Sequence, residues 1–512
     1  MLSCPYGGLG MKELLLGIDL GGSVTKVCLF DRQGCERICV SAAADNLIPA
    51  PGRVERDAEA LWRTVCSLIR RAVDGAGATP DKIAAIGLTG YGNGICLVDE
   101  KGYAVGNAIV STDNRGQGIV DELRASGQEE KAYALSHQRL WSAQTGTLLV
   151  WLARFERERL RRARFFLGIK DYIRMKLSGE AFCEITEASS SGLMNLQTRT
   201  FDLTLFSLLG IAEYAALAPP VLESCKPGGA VTAEASALTG LAEGTPICGA
   251  MFDVDSSMLA SGILDSETLC MIAGTWSINE YLADKPPHGY GEGTNSLSLA
   301  FLPGRFLIEK SSPTSVSNLA WFVERFLRTE DTNAQDDAIY AQCSRFLADT
   351  APEASDVIYV PYLYASATHP GAKACFLNLS GYTTKAYLIR AVCEGVVFSS
   401  LFNVRCLEEG GKRFSRARLS GGLTRLSPWA QMMADALCIT VEIPEAEELA
   451  ALGACMAAGV GCGIWADYEE AVQSCVRIRT EYRPDSIRGA VLREKYTRYE
   501  KALYALEVFH GA

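Results

Sequence analysis

Asp19, Gly21, Gly22, Ser23, Thr25 and Lys26 stand close together in the stretch LLLGIDLGGSVTKVCLFD, Leu14 to Asp31. Residues of these types, so spaced, suit the tail of a nucleotide. A Gly-Gly turn leaves backbone N–H groups free to face an anion, and only glycine lets a phosphate come so close. A carboxylate at Asp19 can hold a hydrated Mg²⁺ that bridges phosphate oxygens. Lys26 adds positive charge, although a lysine after a turn is equally at home as a solvated strand residue. Neither G-x-x-x-x-G-K-[ST] nor G-x-G-x-x-G is present, so the two commonest glycine-rich phosphate loops are excluded. An ordinary hairpin turn accounts for the same residues.

Three further sets could do chemistry. Thr89-Gly90-Tyr91-Gly92-Asn93-Gly94 follows an apolar run. Tyr91 and Asn93 could reach a hydroxylated ligand there, and a plain turn is the alternative. Ser111-Thr112-Asp113-Asn114-Arg115 offers a hydroxyl acceptor in Asp113 and a fixed fork of donors in Arg115, which suits a polyol. A surface ion pair would look the same. Gly421-Gly422, ahead of a helix carrying Gln431, can let an adenine or ribose lie flat on backbone, or can simply cap that helix.

The elements that must position these groups read as alternating strands and helices. Leu14 to Phe30 is a hairpin of two apolar runs about a glycine turn. Ala60, Leu61, Val65, Leu68, Ile69 and Val73 recur at helical spacing. Ile83 to Leu88 is a buried strand, and Gly106 to Val110 is another. Trp151 to Arg164, WLARFERERLRRAR, interleaves Glu156 and Glu158 with arginines, as a solvated helix face does. Asp171 to Ser178 is a helix closed by Gly179. Ile247 to Phe252 is a strand ending at Asp253, with a small-residue helix from Ser256. Thr268 to Ile272, then Ala273-Gly274-Thr275-Trp276-Ser277, repeats the strand–glycine turn–strand plan of the first hairpin, which suggests a duplicated architecture. Arg418 to Ser420 and Val441 to Ile443 are strands. Glu448 to Ala458 is a helix of small residues that permits close packing.

A chain of 512 residues is too long for one ordinary core. With 48% hydrophobic and 21% charged residues it is globular in composition. A net charge of −11 argues against a nucleic-acid partner, not against ATP. No uninterrupted apolar stretch reads as long enough to span a bilayer, so no membrane partner is expected. Residues 1–12 lack the pattern of a signal peptide and read as a disordered leader, with Met11 a candidate start. The 18 cysteines include no C-x-x-C, and none of the four histidines is spaced with a cysteine as zinc ligands are. They read as core thiols of a cytoplasmic protein.

Taken together the chain resembles the FGGY carbohydrate kinases. Within them it is similar to the bacterial L-xylulose kinases, which also act on 3-keto-L-gulonate. The resemblance runs from about Leu14 to past Tyr496. It is carried by D-L-G-G-S-V-T-K at Asp19, S-T-D-N-R at Ser111, K-D-Y-I at Lys170 and G-L-A-E-G-T-P at Gly240. F-D-V-D-S at Phe252, G-T-W-S at Gly274, R-A-V-C-E-G-V-V-F at Arg390 and the closing G-G…W-x-Q-M-M-A-D…E-x-x-A-L-G-A set complete it.

The resemblance implies an α/β fold of two actin-like, ribonuclease H-like domains with a central ATP cleft. These would be an N-terminal sugar-binding domain over 13–252 and a C-terminal nucleotide-binding domain over 253–512. It implies Asp253 as the base that takes the proton of a sugar hydroxyl, with Asp255 as a helix-capping neighbour. Asp19 becomes the Mg²⁺-side carboxylate. Gly21, Gly22, Ser23, Thr25 and Lys26 form one phosphate site and Gly274 and Thr275 a second. Gly421, Gly422 and Gln431 lie near adenosine. Tyr91, Asn93, Asp113 and Arg115 become sugar contacts. Three departures stand out: Gly22 where many relatives have threonine, Asn93 where D-xylulose kinases have histidine, and the loss of a Gly-Glu-Arg segment near Ala365 to His369. The second argues against D-xylulose. The expectation is an ATP- and Mg²⁺-dependent kinase of a ketopentose or keto-sugar acid, a homodimer by default. An actin-like ATPase switch and an idle sugar sensor are the competing classes.

Overall fold

The computed structural model describes residues 13–274, 276–286, 296–328, 336–364, 373–409 and 411–510. The expected leader over 1–12, Thr275, and the departure at Ala365 to His369 lie outside the described residues.

Strands β1 (Leu14–Leu20) and β2 (Val24–Asp31) pair antiparallel about the glycine turn, with Asp19 opposite Lys26 and Leu20 opposite Thr25. β3 (Glu36–Ala43) continues the sheet beyond β2. On the other side β4 (Ile83–Gly90) runs parallel to β1 and is buried at all eight positions, as a strand covered on both faces must be. β5 (Pro227–Ala230) lies antiparallel to β6 (Pro246–Phe252), which runs parallel to β4. The order is β5–β6–β4–β1–β2–β3.

A second sheet starts from another hairpin, β7 (Thr268–Ala273) with β8 (Ser277–Ala283). β9 (Phe306–Ser312) neighbours β8. β10 (Arg416–Ser420) is parallel to β7, β11 (Thr440–Pro444) is parallel to β10, and β12 (Ile478–Tyr482) is antiparallel to β11. This sheet has seven strands, and six of them, in the order β12–β11–β10–β7–β8–β9, repeat the six-strand order of the first sheet. The repeat read from two weakly similar glycine hairpins is thus a repeat of the whole sheet plan. Of the strand expected over Gly106 to Val110, only Ala108–Ile109 joins a ladder.

Helix α1 (Ala58–Gly75) starts where the Asp57 carboxylate accepts from Ala60 N (2.9 Å), and it buries Leu61, Val65, Leu68, Ile69 and Val73 against β2 and β3. Next come α2 (Ile169–Ser178), closed by Gly179 in the left-handed conformation, and α3 (Ile185–Ser190). α4 (Asp253–Ala260) begins directly after β6. α5 (Lys385–Glu408), α6 (Ser427–Leu437) and α7 (Leu449–Gly461) follow. α7 lies so close to the first sheet that a Cβ on Gly87 would sit 2.0 Å from the Ala454 carbonyl oxygen. Its run of alanine, glycine and cysteine is what that approach requires.

Two compact units result. The first comprises the described residues up to Leu264, Ser296–Leu307 and Glu448–Val476, and so contains Asp253, α4 and α7. The second comprises the described residues of Asp265–Asn295, Ile308–Glu447 and Arg477–Ala512. By length and composition α5 could cross a membrane, with Arg390 and Glu394 interrupting its apolar run. However, 83% of its most apolar window is buried inside the protein, and Arg390 pairs there with Glu394 at 2.7 Å. It is the core helix of the second unit.

The stretch Trp151 to Arg164 divides between two helices, Thr145–Phe155 and Arg157–Arg162. Trp151 and Leu152 are buried, while Arg154, Arg157 and Arg161 pair with glutamates at the surface. The described cysteines are all free thiols.

Candidate active site

In the first sheet the strand ends bring the candidates together. Asp19 is level with Thr89, and Thr89 with Met251; Leu20 is level with Gly90, and Gly90 with Phe252. Asp19, the Tyr91–Asn93 loop and Asp253 therefore all leave the sheet at the carboxyl edge of three parallel strands, where ligands of open α/β sheets gather. Two strand spacings separate β1 from β6, about 10 Å.

Asp253 is the first residue of α4 and is half-buried, whereas Asp255 is fully buried. The Asp255 carboxylate accepts the backbone N–H of Phe301 at 2.9 Å. Of the two aspartates, Asp253 is the one solvent reaches.

Asp19 is half-buried, and burial pushes its carboxyl up to about 7. Lys26 pulls the other way, and Glu448 adds to the rise. The Lys26 ammonium lies 2.5 Å from a Glu448 oxygen at the start of α7, so a carboxylate more than 400 residues away joins this corner. Gly22 and Ser23 are exposed at the turn and Gly21 partly so. Thr25 is placed differently. It is buried on the sheet face opposite Lys26, and its hydroxyl has no hydrogen-bond partner among the described residues.

The expected sugar contacts gather beside β4, but their polar atoms turn inward. Ile95 and Ile109 exchange backbone hydrogen bonds of 2.8 and 2.9 Å, which sets the Asn93 loop next to the Asp113 segment. Asn93 has φ of 64°, donates from Nδ2 to Ser190 Oγ (3.1 Å), and gives its backbone N–H to Glu187 Oε1 (3.0 Å). Asp113 accepts from Val54 N at 2.6 Å and is gripped in two-pronged fashion by Arg115 at 2.9 Å on each oxygen. Arg115 also reaches Glu55 at 2.8 Å and lies over the Trp151 ring. The pair is buried, not the surface pair that the bare sequence left open. Tyr91 is buried with Arg56 over its ring.

Behind this edge lies a knot of buried charge. Lys170 Nζ is 2.6 Å from Glu187, 3.4 Å from Asp171 and 3.9 Å from Glu184, and Arg174 is 3.6 Å from Asp171. Burial works against the Lys170 charge, but Asp171, Glu187 and Glu184 outweigh it and hold the ammonium above its ordinary range. Burial raises Glu187 and Glu184 despite Lys170. Thr186 donates to Glu184 (2.6 Å) and accepts the Phe252 N–H (3.0 Å). Helix α3 thus braces both the Asn93 loop, through Glu187 and Ser190, and the peptide before Asp253, through Thr186.

In the second unit the ends of β7 and β10 are level, Ile272 beside Ser420. Gly274 and Gly421 therefore leave neighbouring strands side by side. Gly421 has φ of 89°, and a Cβ there would lie 2.4 Å from the Ala273 carbonyl oxygen, so only glycine fits. Gly422 lines a cavity of about 590 Å³ with Val316, Leu319, Trp429, Tyr340 and Arg425, a size usual for a small-molecule site. Gln431 is not in that lining; its amide donates to Asp435 (2.8 Å) and to the Arg483 carbonyl (2.8 Å). Trp429 and Gln431 are two apart on α6, hence on different faces.

Two sheets of one plan, each opening on a glycine hairpin whose strand ends gather polar groups, define an actin-like, ribonuclease H-like ATPase fold. The chain belongs to the FGGY family of carbohydrate kinases: the family's N-terminal domain matches residues 14–260 and its C-terminal domain residues 269–462. It is 33% identical to the L-xylulose/3-keto-L-gulonate kinase of Escherichia coli (strain K12), over 98% of this chain and 99% of that one. It is 34% identical to a probable L-xylulose kinase of Pasteurella multocida (strain Pm70), over 96% and 99%. The crystal structure of xylulose kinase from Rhodospirillum rubrum superposes with a TM-score of 0.87 at 25% identity, covering 98% of this chain and all of that one. The protein is a sugar kinase, with ATP as phosphoryl donor and a small-molecule sugar as acceptor.

Proposed function

We propose that this kinase phosphorylates L-xylulose or 3-keto-L-gulonate, using the Mg²⁺ complex of ATP. The observation that carries the choice of sugar is the near-full-length identity to kinases named for these substrates. In this reading Asp253 accepts the proton of the attacking sugar hydroxyl through a carboxylate oxygen. The turn at Gly21, Gly22 and Ser23, with Gly274, orients the phosphates through backbone N–H groups. The cavity beside Gly422 takes the adenosine. The loops of Asn93 and Asp113 shape the sugar side through their backbone and their fixed conformation. Asp19 fits a Mg²⁺ ion: its oxygen donors suit a hard cation, and its raised carboxyl gains from a nearby positive charge. The ion would supply charge neutralisation on the phosphates. The free thiols fit a reducing cytoplasm.

The deciding measurement is coupled ADP release over a panel of ketoses and sugar acids. Turnover with L-xylulose or 3-keto-L-gulonate, and little with D-xylulose, is expected. ADP release indifferent to every sugar would instead mark an ATPase switch, and binding without turnover a sensor.

The Asp19 carboxyl gives a second expectation. A cation needs the ionised form. With the group raised to about 7, protons compete with the cation below that pH and cease to compete above it. Affinity for Mg²⁺–ADP therefore climbs between pH 6 and 8, by up to about tenfold per unit at the acid end, and then levels. Asp19→Asn binds weakly at every pH, and calorimetry shows a flat profile.

A further inference from the structure

Arg56 closes the strand Arg53–Arg56 and is 2% exposed. Its Nη2 donates to the Gly22 carbonyl at 2.7 Å and its Nη1 to the Gly21 carbonyl at 3.3 Å. Nε and Nη2 also donate to Asn46 Oδ1, at 3.1 and 2.8 Å, while Asn46 Nδ2 donates to the Gly22 carbonyl at 3.2 Å. Its remaining neighbour is the face of Tyr91, 5.4 Å from Cζ. The other buried guanidiniums differ. Arg115 faces Glu55 and Asp113, Arg174 faces Asp171, and Arg390 faces Glu394. Among the described residues Arg56 has only neutral oxygens and a ring. A buried charge without a counter-ion is costly, and this one sits directly behind the first glycine turn.

A Gly-Gly turn offers an anion carbonyl oxygens as readily as N–H groups, and the oxygens repel it. We propose that Arg56 is a positioning residue for the nucleotide: it draws the Gly21 and Gly22 carbonyls inward, so that the turn presents N–H groups outward, and its uncompensated charge is completed by the polyphosphate. The inference rests on the reading of Gly21 to Ser23 as a phosphate turn. Asn46 is the exposed half of the same clasp.

The test is titration of the full chain with Mg²⁺–ADP in the absence of sugar, by calorimetry, alongside KM for ATP and for the sugar. The set comprises wild type, Arg56→Lys and Asn46→Ala. Lysine keeps the charge but cannot fork to two carbonyls. Arg56→Lys should weaken ADP binding about tenfold or more, as expected for lost charge-assisted hydrogen bonds, and raise KM for ATP by a like factor. KM for the sugar should move far less. Asn46→Ala removes no buried packing and should weaken ADP binding in the same direction by a few-fold. A general loss of structure would shift both KM values together. A folded Arg56→Lys that binds ADP as tightly as wild type overturns the inference. Should that variant not fold, wild-type affinity in Asn46→Ala does so. A wild type that binds no nucleotide defeats the phosphate-turn reading itself, and the inference with it.

Discussion

Asp253→Asn lowers kcat for sugar phosphorylation by about 10²- to 10⁴-fold and leaves nucleotide affinity unchanged. The size is that of a general base removed from a reaction in which positioning and charge neutralisation do the rest. Asparagine has the same shape, and two hydrogen bonds that fix this corner do not involve the Asp253 carboxylate. The Phe252 N–H is held by Thr186, and Asp255 holds Phe301. Helix α4 therefore keeps its place and the variant keeps its melting temperature. In the proposed site ADP meets residues of other elements, so its Kd should match that of wild type. Asp255→Asn is the control. Its Oδ1 can still accept from Phe301, and its buried position keeps it from a sugar, so kcat should fall less than tenfold. A kcat for Asp253→Asn within tenfold of wild type would remove Asp253 from the chemistry, and a large loss in Asp255→Asn would reassign the role.

What the bare sequence discloses here is what local rules decide. The hairpins, the strand ending at Asp253 and the small-residue helix after Glu448 follow from turn chemistry and apolar runs that lie within a few residues of one another. The duplication was legible only as two glycine turns, because sheet order is made by pairings hundreds of residues apart. Orientation was less legible still. Asn93, Asp113 and Arg115 have the right chemistry for a sugar and lie beside β4, yet their side chains are spent on Ser190, Val54 and Glu55. Thr25 is one residue from Lys26, and the period of two sends it to the other face. Arg56, within Val-Glu-Arg-Asp, reads like a charged side chain in water. The hexapeptide ITEASS of α3 is polar enough for a surface turn, but all six residues are buried. No periodicity distinguishes a polar segment facing solvent from one facing a charged interior. What distinguishes them is the partner, and Lys170 is supplied by a different helix.

That partner gives the second large effect. Lys170→Met leaves Asp171, Glu184 and Glu187 in the interior with only Arg174 to balance them. Breaking a buried ion pair from one side costs about 3–5 kcal/mol, enough to lower the Tm by roughly 5 °C in a chain of this length. The loss must depend on pH in a definite direction. Burial already holds Glu187 and Glu184 above the ordinary carboxylate range. Between the unfolded and folded values the native state therefore binds more protons than the unfolded chain, and its stability falls as pH rises through that window. Removal of Lys170 takes away the charge nearest Glu187 that opposes the rise, which widens the window upward. The deficit of Lys170→Met should accordingly be small near pH 6, where Glu187 takes up a proton, and largest near pH 8. Function follows through α3. With Glu187 loosened, the Asn93 N–H loses its acceptor, and KM for the sugar climbs about tenfold while ADP affinity holds. Adding Glu187→Gln restores balance: the amide oxygen still accepts from Asn93, and one buried negative charge is gone. The double variant should regain more than half of the lost Tm and most of the sugar affinity, a coupling that independent sites would not show. A deficit equal at pH 6 and pH 8, or a double variant no better than the sum of the singles, would mean that the knot merely fills space and does not brace the sugar edge through charge.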